Sequence, residues 1–179
     1  MHRLKAIPAL LLAAALSAHA QEATPAKPPA WNVNTPPGVA KTATIDVKTG
    51  TWMSVDVSPD GKTVVFDLLG DLYTLPIAGG EATPLTHSLA WEMQPRWSPD
   101  GQRIAFNVRS GGGFAIAVMD LGGGGGRIVA QGENPVWGAD SRHLVYSTGS
   151  SISLLDVPTG KSIPVISGLG KVTEPTWTR

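Results

Sequence analysis

Apolar and polar positions alternate in short runs along most of this chain, and turn signals separate the runs. The clearest instance is Pro95–Phe106, PRWSPDGQRIAF, which reads as strand, tight turn, strand. Pro99 presets φ at the second turn position, Asp100 can bond its own backbone, and Gly101 accepts the closing geometry of a type I turn. Beyond the turn, Ile104 and Phe106 alternate with Arg103, Ala105 and Asn107. That period of two predicts a strand with one buried face.

The pattern recurs with a step of 40 residues: Asp60, Asp100 and Asp140 keep it. Four and six residues beyond each Asp stand Val64 and Phe66, Ile104 and Phe106, Leu144 and Tyr146. Val57, Trp97, Trp137 and Trp177 form a further series, and Pro95, Pro135 and Pro175 another. A period near 40 built from strands and turns is the mark of β-propeller blades, with four short strands in each. The expected fold class is therefore all-β: a partial β-propeller of three four-stranded antiparallel blades plus the first strand of a fourth. The blades fall at about 51–90, 91–130 and 131–170, with the next starting at 171–179. Thr42–Val47 reads as an outermost strand of a blade whose inner strands are missing. Closed propellers hold roughly 4–8 blades, so the expectation is the N-terminal piece of something longer.

These repeats assign structural duties. Ser58, Pro59, Asp60, Gly61, Ser98, Pro99, Asp100, Gly101 and Asp140 are expected in repeat turns, where Asp is favoured for its backbone bonding. Phe66, Trp97, Phe106, Trp137, Tyr146 and Trp177 are expected in the blade core. Trp52 and Trp91, near strand starts, are better placed for a rim contact.

The N-terminus adds a compartment. Met1–Lys5 is basic, Ala6–Leu16 is apolar, and Ala18-His19-Ala20 precedes Gln21. That is a secretory signal peptide with cleavage after Ala20, and its apolar run is too short to span a bilayer. Residues 21–40 are rich in Pro and Ala and read as an extended linker carrying Trp31. Cleavage removes two of the 14 basic and none of the 14 acidic side chains, leaving a formal charge of −2. Neither nucleic acid nor an anionic membrane is expected as a partner from that balance. With no cysteine in the chain, a disulfide framework, thiol catalysis and cysteine metal sites are excluded.

Candidate chemistry is sparse. His87 and His143 occupy different blade positions, without H-x-H or H-E-x-x-H spacing. Gly122–Gly126 is followed by Arg127-Ile128-Val129, a strand rather than the helix a phosphate loop requires. No G-x-S-x-G elbow occurs. No catalytic, cofactor-binding or metal residue is assigned.

SPDGKTVVF (58–66), WSPDGQRIAF (97–106) and the degenerate WGADSRHLVY (137–146) resemble the PD40 repeats of TolB-like and tricorn-like propellers. DLYTLPIAGGEATPLT (71–86) looks like their third strand, Gly-Gly turn and Leu-Thr ending. Together with Trp31–Gly38, GTWMSVDVSPDG (50–61) and WEMQPRWSPDG (91–101) resemble the start of exported bacterial amidohydrolases. There a TolB-like propeller precedes a metal-dependent hydrolase barrel that carries the metal-binding histidines. The resemblance implies a non-catalytic periplasmic segment that gates or scaffolds such a barrel. Any zinc or other divalent metal would belong to that barrel, and the partners would be further blades and the hydrolase domain. The alternative is a stand-alone TolB-like interaction propeller, with proteins of the cell envelope as partners. Oligopeptidases of the prolyl type, which also set a propeller beside a hydrolase domain, are a third reading.

Overall fold

The structure is a computed structural model that describes residues 38–39, 43–110, 112–122, 125–168 and 170–177. The expected signal peptide and most of the linker, Trp31 included, lie outside the described residues.

Among the described residues twelve strands form three sheets, each an antiparallel meander taken in chain order. The first sheet joins β1 (Val55–Val57), β2 (Thr63–Leu68), β3 (Asp71–Pro76) and β4 (Thr83–Pro84). The second joins β5 (Trp91–Trp97), β6 (Arg103–Ser110), β7 (Gly113–Asp120) and β8 (Arg127–Gln131). The third joins β9 (Glu133–Trp137), β10 (His143–Ser147), β11 (Ser151–Asp156) and β12 (Lys161–Ser167). Register repeats with the sequence: Val57 pairs with Val64, Trp97 with Ile104, and Trp137 with Leu144.

The sheets stack face to face, and the core lies between them. Val65 and Leu72 of the first sheet meet Ile104, Phe106, Val108, Ala117 and Met119 of the second. The opposite face of the second sheet, with Ala105, Ile116 and Val118, meets Trp137, Leu144, Tyr146, Leu155 and Val157 of the third. Strand β5 packs across β1, β2 and β3, and β9 across β5, β6 and β7. The first strand of each sheet thus lies against the sheet before it.

Three expectations change. β6 does not bury a single face: Ala105 and Asn107 are as enclosed as Ile104 and Phe106, because a central strand of the middle sheet is covered from both sides. Residues 43–47 are exposed and form no strand, since no neighbouring strand among the described residues supplies ladder partners. Pro175–Trp177 likewise enters no ladder among the described residues, yet it docks on the third sheet as the start of a blade would. The Val172 amide donates to the Gly149 carbonyl at 2.8 Å, as the Glu92 amide does to Gly70 at 2.9 Å. Pro175 is buried like Pro95 and Pro135.

Candidate functional site: the turn face and the bulged inner edge

One end of the stacked sheets is built from the Pro-Asp-Gly turns. In the first, the Ser58 hydroxyl donates to Asp60 Oδ1 at 2.6 Å and accepts the Thr63 amide at 2.9 Å. The Gly61 amide closes the turn on the Ser58 carbonyl at 2.8 Å. Ser98, Asp100, Gly101 and Arg103 repeat the arrangement, and Pro59 and Pro99 stand second in each turn. The Ser58 hydroxyl and then the Lys62 amide hold the Asp60 carboxyl below its ordinary range. Burial opposes the charge of Asp100, but the Ser98 hydroxyl, the Gln102 amide and Arg103 outweigh it and hold that carboxyl low too.

The third turn, Gly138-Ala139-Asp140-Ser141, has Gly where the others have Ser and Ser where they have Gly, and is rebuilt. Ser141 takes the left-handed backbone, φ 57°, that Gly61 and Gly101 supply elsewhere. Asp140 receives the His143 ring nitrogen at 2.6 Å and the Arg142 and His143 amides. These bonds, the ring's first, lower its carboxyl to about 2. His143 is therefore a bonded member of the turn rather than a free surface histidine.

The tryptophan series stitches neighbouring sheets. Trp137 Nε1 donates to the Arg96 carbonyl at 3.1 Å, and the Arg103 guanidinium lies 5.1 Å from the Trp137 ring centroid. Arg103 also donates to the Ser141 carbonyl and lies 3.6 Å from Asp100 Oδ2. Trp97 is half-buried; its amide donates to Asp56 Oδ2 at 2.8 Å, while its indole nitrogen is buried without a partner. Trp177 departs from the expected core position. Its Nε1 points to the Val136 carbonyl at 3.4 Å, but the residue is 45% exposed, because no described strand covers its outer side. Phe66, Phe106 and Tyr146 are buried.

The free edge of the first strands carries a feature the residue pattern left unread. Gln94, Asn134 and Glu174 all have φ between 53° and 56°, each just before a buried proline. A left-handed non-glycine residue costs roughly 1–2 kcal/mol, and β5 and β9 both shift register at this point. Such bulges re-aim side chains at edges. Each sheet holds its first strand with a buried polar residue from the second. Asp67 accepts the Ser54 amide, Asn107 donates to the Gln94 side chain, and Ser147 donates to the Glu133 carbonyl at 3.1 Å. Burial pushes the Asp67 carboxyl up against the opposing pull of the Ser54 amide. Gln94, Arg96, Asn134, Glu174 and Thr176 border a cavity of about 270 Å³. Both series, 94/134/174 and 67/107/147, keep the 40-residue step, and that step was the signal that could have found them.

Trp52 is fully exposed and Trp91 is 59% exposed, so both are open to a rim contact. Among the described residues no three His, Cys, Asp or Glu side chains come together so as to hold a metal. The amidohydrolase resemblance implies its zinc for a separate barrel and not for these residues, and no step through a metal follows from them.

Four-stranded meanders stacked face to face on a 40-residue step give this chain the fold of TolB-like β-propeller blades. No family model matches it. Among solved structures it is similar to a protein described as a TolB from Agrobacterium tumefaciens, at 24% identity and TM-score 0.58, covering 66% of this chain and 47% of that one. It is likewise similar to TolB from Acinetobacter baumannii, at 24% identity and TM-score 0.59, covering 70% of this chain and 35% of that one. The tricorn protease matches at 17% identity and TM-score 0.58, over 70% of this chain and 14% of its own. In sequence, 64 residues are 44% identical to the Bacillus subtilis protein YuxL, an uncharacterized peptidase; they make up 33% of this chain and 10% of that protein. The chain thus spans less than half the length of each of these relatives.

Proposed function

We propose that this chain is a non-catalytic propeller segment of an exported, periplasmic protein, and the N-terminal part of a larger metal-dependent amidohydrolase. In this reading residues 1–20 are a signal peptide, 21–40 a linker, and 41–179 propeller blades that gate or scaffold the catalytic barrel. One observation carries it: the outer faces of the first and third sheets are apolar and open. Val55 and Val57 are 57% and 46% exposed on one side, and Ile163 and Val165 are 58% and 57% exposed on the other. Faces of that kind are built to be covered by further blades. The peptidase name of YuxL supports a hydrolase setting.

The test is the reading frame downstream of this chain, expressed with it and assayed for metal-dependent amide hydrolysis. An H-x-H barrel motif, with activity lost on chelation, is the expected result. A frame ending soon after the remaining blades, with no such activity, overturns the proposal. That outcome favours the second reading, a TolB-like interaction propeller, to which the bulged polar edge at Gln94, Asn134 and Glu174 lends a binding surface.

A further inference from the structure

The two junctions between sheets are built from the same repeat positions but are filled differently. At the second junction Arg103 stands three residues after Asp100. Its guanidinium is held by the Trp137 ring, by Asp100 and by the Ser141 carbonyl. A step of 40 carries those three partners to Trp97, Asp60 and Gly101 at the first junction, and Arg103 itself to Thr63. There the long cationic side chain is cut back to a threonine. What remains is a cavity of about 280 Å³ lined by Asp60, Thr63, Trp97, Asp100, Gly101 and Leu121. All three counterparts of the Arg103 partners line it. In the third sheet the same repeat position is His143, again bonded to its own turn aspartate. The first sheet has the uncharged Thr63 at this position, and Lys62 does not substitute, being 80% exposed and 4.0 Å from Asp60 Oδ2.

We infer that this cavity is a docking site for an arginine side chain presented by another polypeptide. The guanidinium lies over the Trp97 ring, a cation–π contact of the kind Arg103 makes internally. Asp60 and Asp100 supply the charge complement, and a guanidinium offers five donors in a rigid fork suited to such oxygens. Leu121 lines the path of the methylene stem, which favours apolar contact. The site lies on the turn face, away from the bulged edge, and does not depend on the hydrolase reading.

The test uses the full chain and Nα-acetyl-arginine amide as probe, followed through the Trp97 indole NMR resonance. A saturable shift is expected, and the neutral citrulline analogue should leave the resonance in place. Asp60→Asn should weaken binding by about threefold, the scale of an exposed ion pair. Thr63→Arg should abolish the shift, because the variant fills its own site, and should raise the melting temperature. An equal response to citrulline, a shift that survives in Thr63→Arg, or a lowered melting temperature in that variant overturns the assignment. Tighter binding of free L-arginine than of the capped amide would overturn a polypeptide as its source.

Discussion

Trp97, Trp137 and Trp177 occupy one position of the repeat and meet three different surroundings. Trp137 has both an acceptor for its indole nitrogen and a guanidinium on its face. Trp137→Phe keeps most of the apolar contact and loses the bond to the Arg96 carbonyl. A cost of about 1–2 kcal/mol in denaturant unfolding is expected. A double-mutant cycle with Arg103→Met should show positive coupling, since both residues belong to one contact. Asp140 makes a pH prediction. Its carboxyl lies at about 2 when folded against an ordinary 3.8, so folding favours the ionised form. The stabilisation is complete above a pH of about 4 and disappears as the pH falls through the folded value. Asp140→Asn should therefore be less stable at neutral pH and show a flatter loss of stability on acidification over that interval, read by acid titration of the unfolding midpoint.

At the scale of the element, β5 and β9 are kinked by a bulge, and each first strand is pinned by its neighbour. Asn107 is 1% exposed, donates to Gln94 and leaves its own Oδ1 unpaired. Asn107→Ala frees Gln94 inside the sheet, and a loss of about 1–3 kcal/mol is expected by chemical denaturation. Gly132, between β8 and β9, is more restrictive. Its φ is +148°, and an added Cβ would stand 2.5 Å from the Ser147 carbonyl oxygen and 2.6 Å from Tyr146 Cδ2. Backbone cannot yield cheaply there, so Gly132→Ala should destabilise by roughly 2–4 kcal/mol; a near-neutral variant would show that the hairpin relaxes. The period of these polar residues was visible in the chain, but a polar residue in a strand reads as solvent-facing. Only the sheet stacked on its other side turns Asn107 inward.

For the whole molecule, the two outer faces govern behaviour. At roughly 25 cal/mol per Å², a few hundred Å² of open apolar face forgoes several kcal/mol, comparable to a domain's net stability of about 5–15 kcal/mol. Repeat arrays limit this with polar outer faces, whereas here Val55, Val57, Ile163 and Val165 are open. The chain by itself should self-associate, and paired Val55→Lys and Val57→Lys substitutions should shift it toward monomer in light scattering. A monodisperse monomer of the unsubstituted chain contradicts this expectation.

What the sequence determined by itself is whatever neighbouring residues decide among themselves. The Ser-Pro-Asp-Gly turns close within a few residues of one another, and alternation sets the strands between them. Repetition every 40 residues then names the blade and the all-β class. The tertiary structure decided whatever depends on the adjoining sheet: the double burial of β6, the inward polar residues, and the exposure of Trp177. It also turned residues 43–47 from a strand into an unpaired segment, since a strand exists only where a partner supplies its hydrogen bonds. The niche at Thr63 belongs to both levels. The missing cation is written in the repeat, but its three facing partners come from two sheets, and only their packing brings them around one empty space.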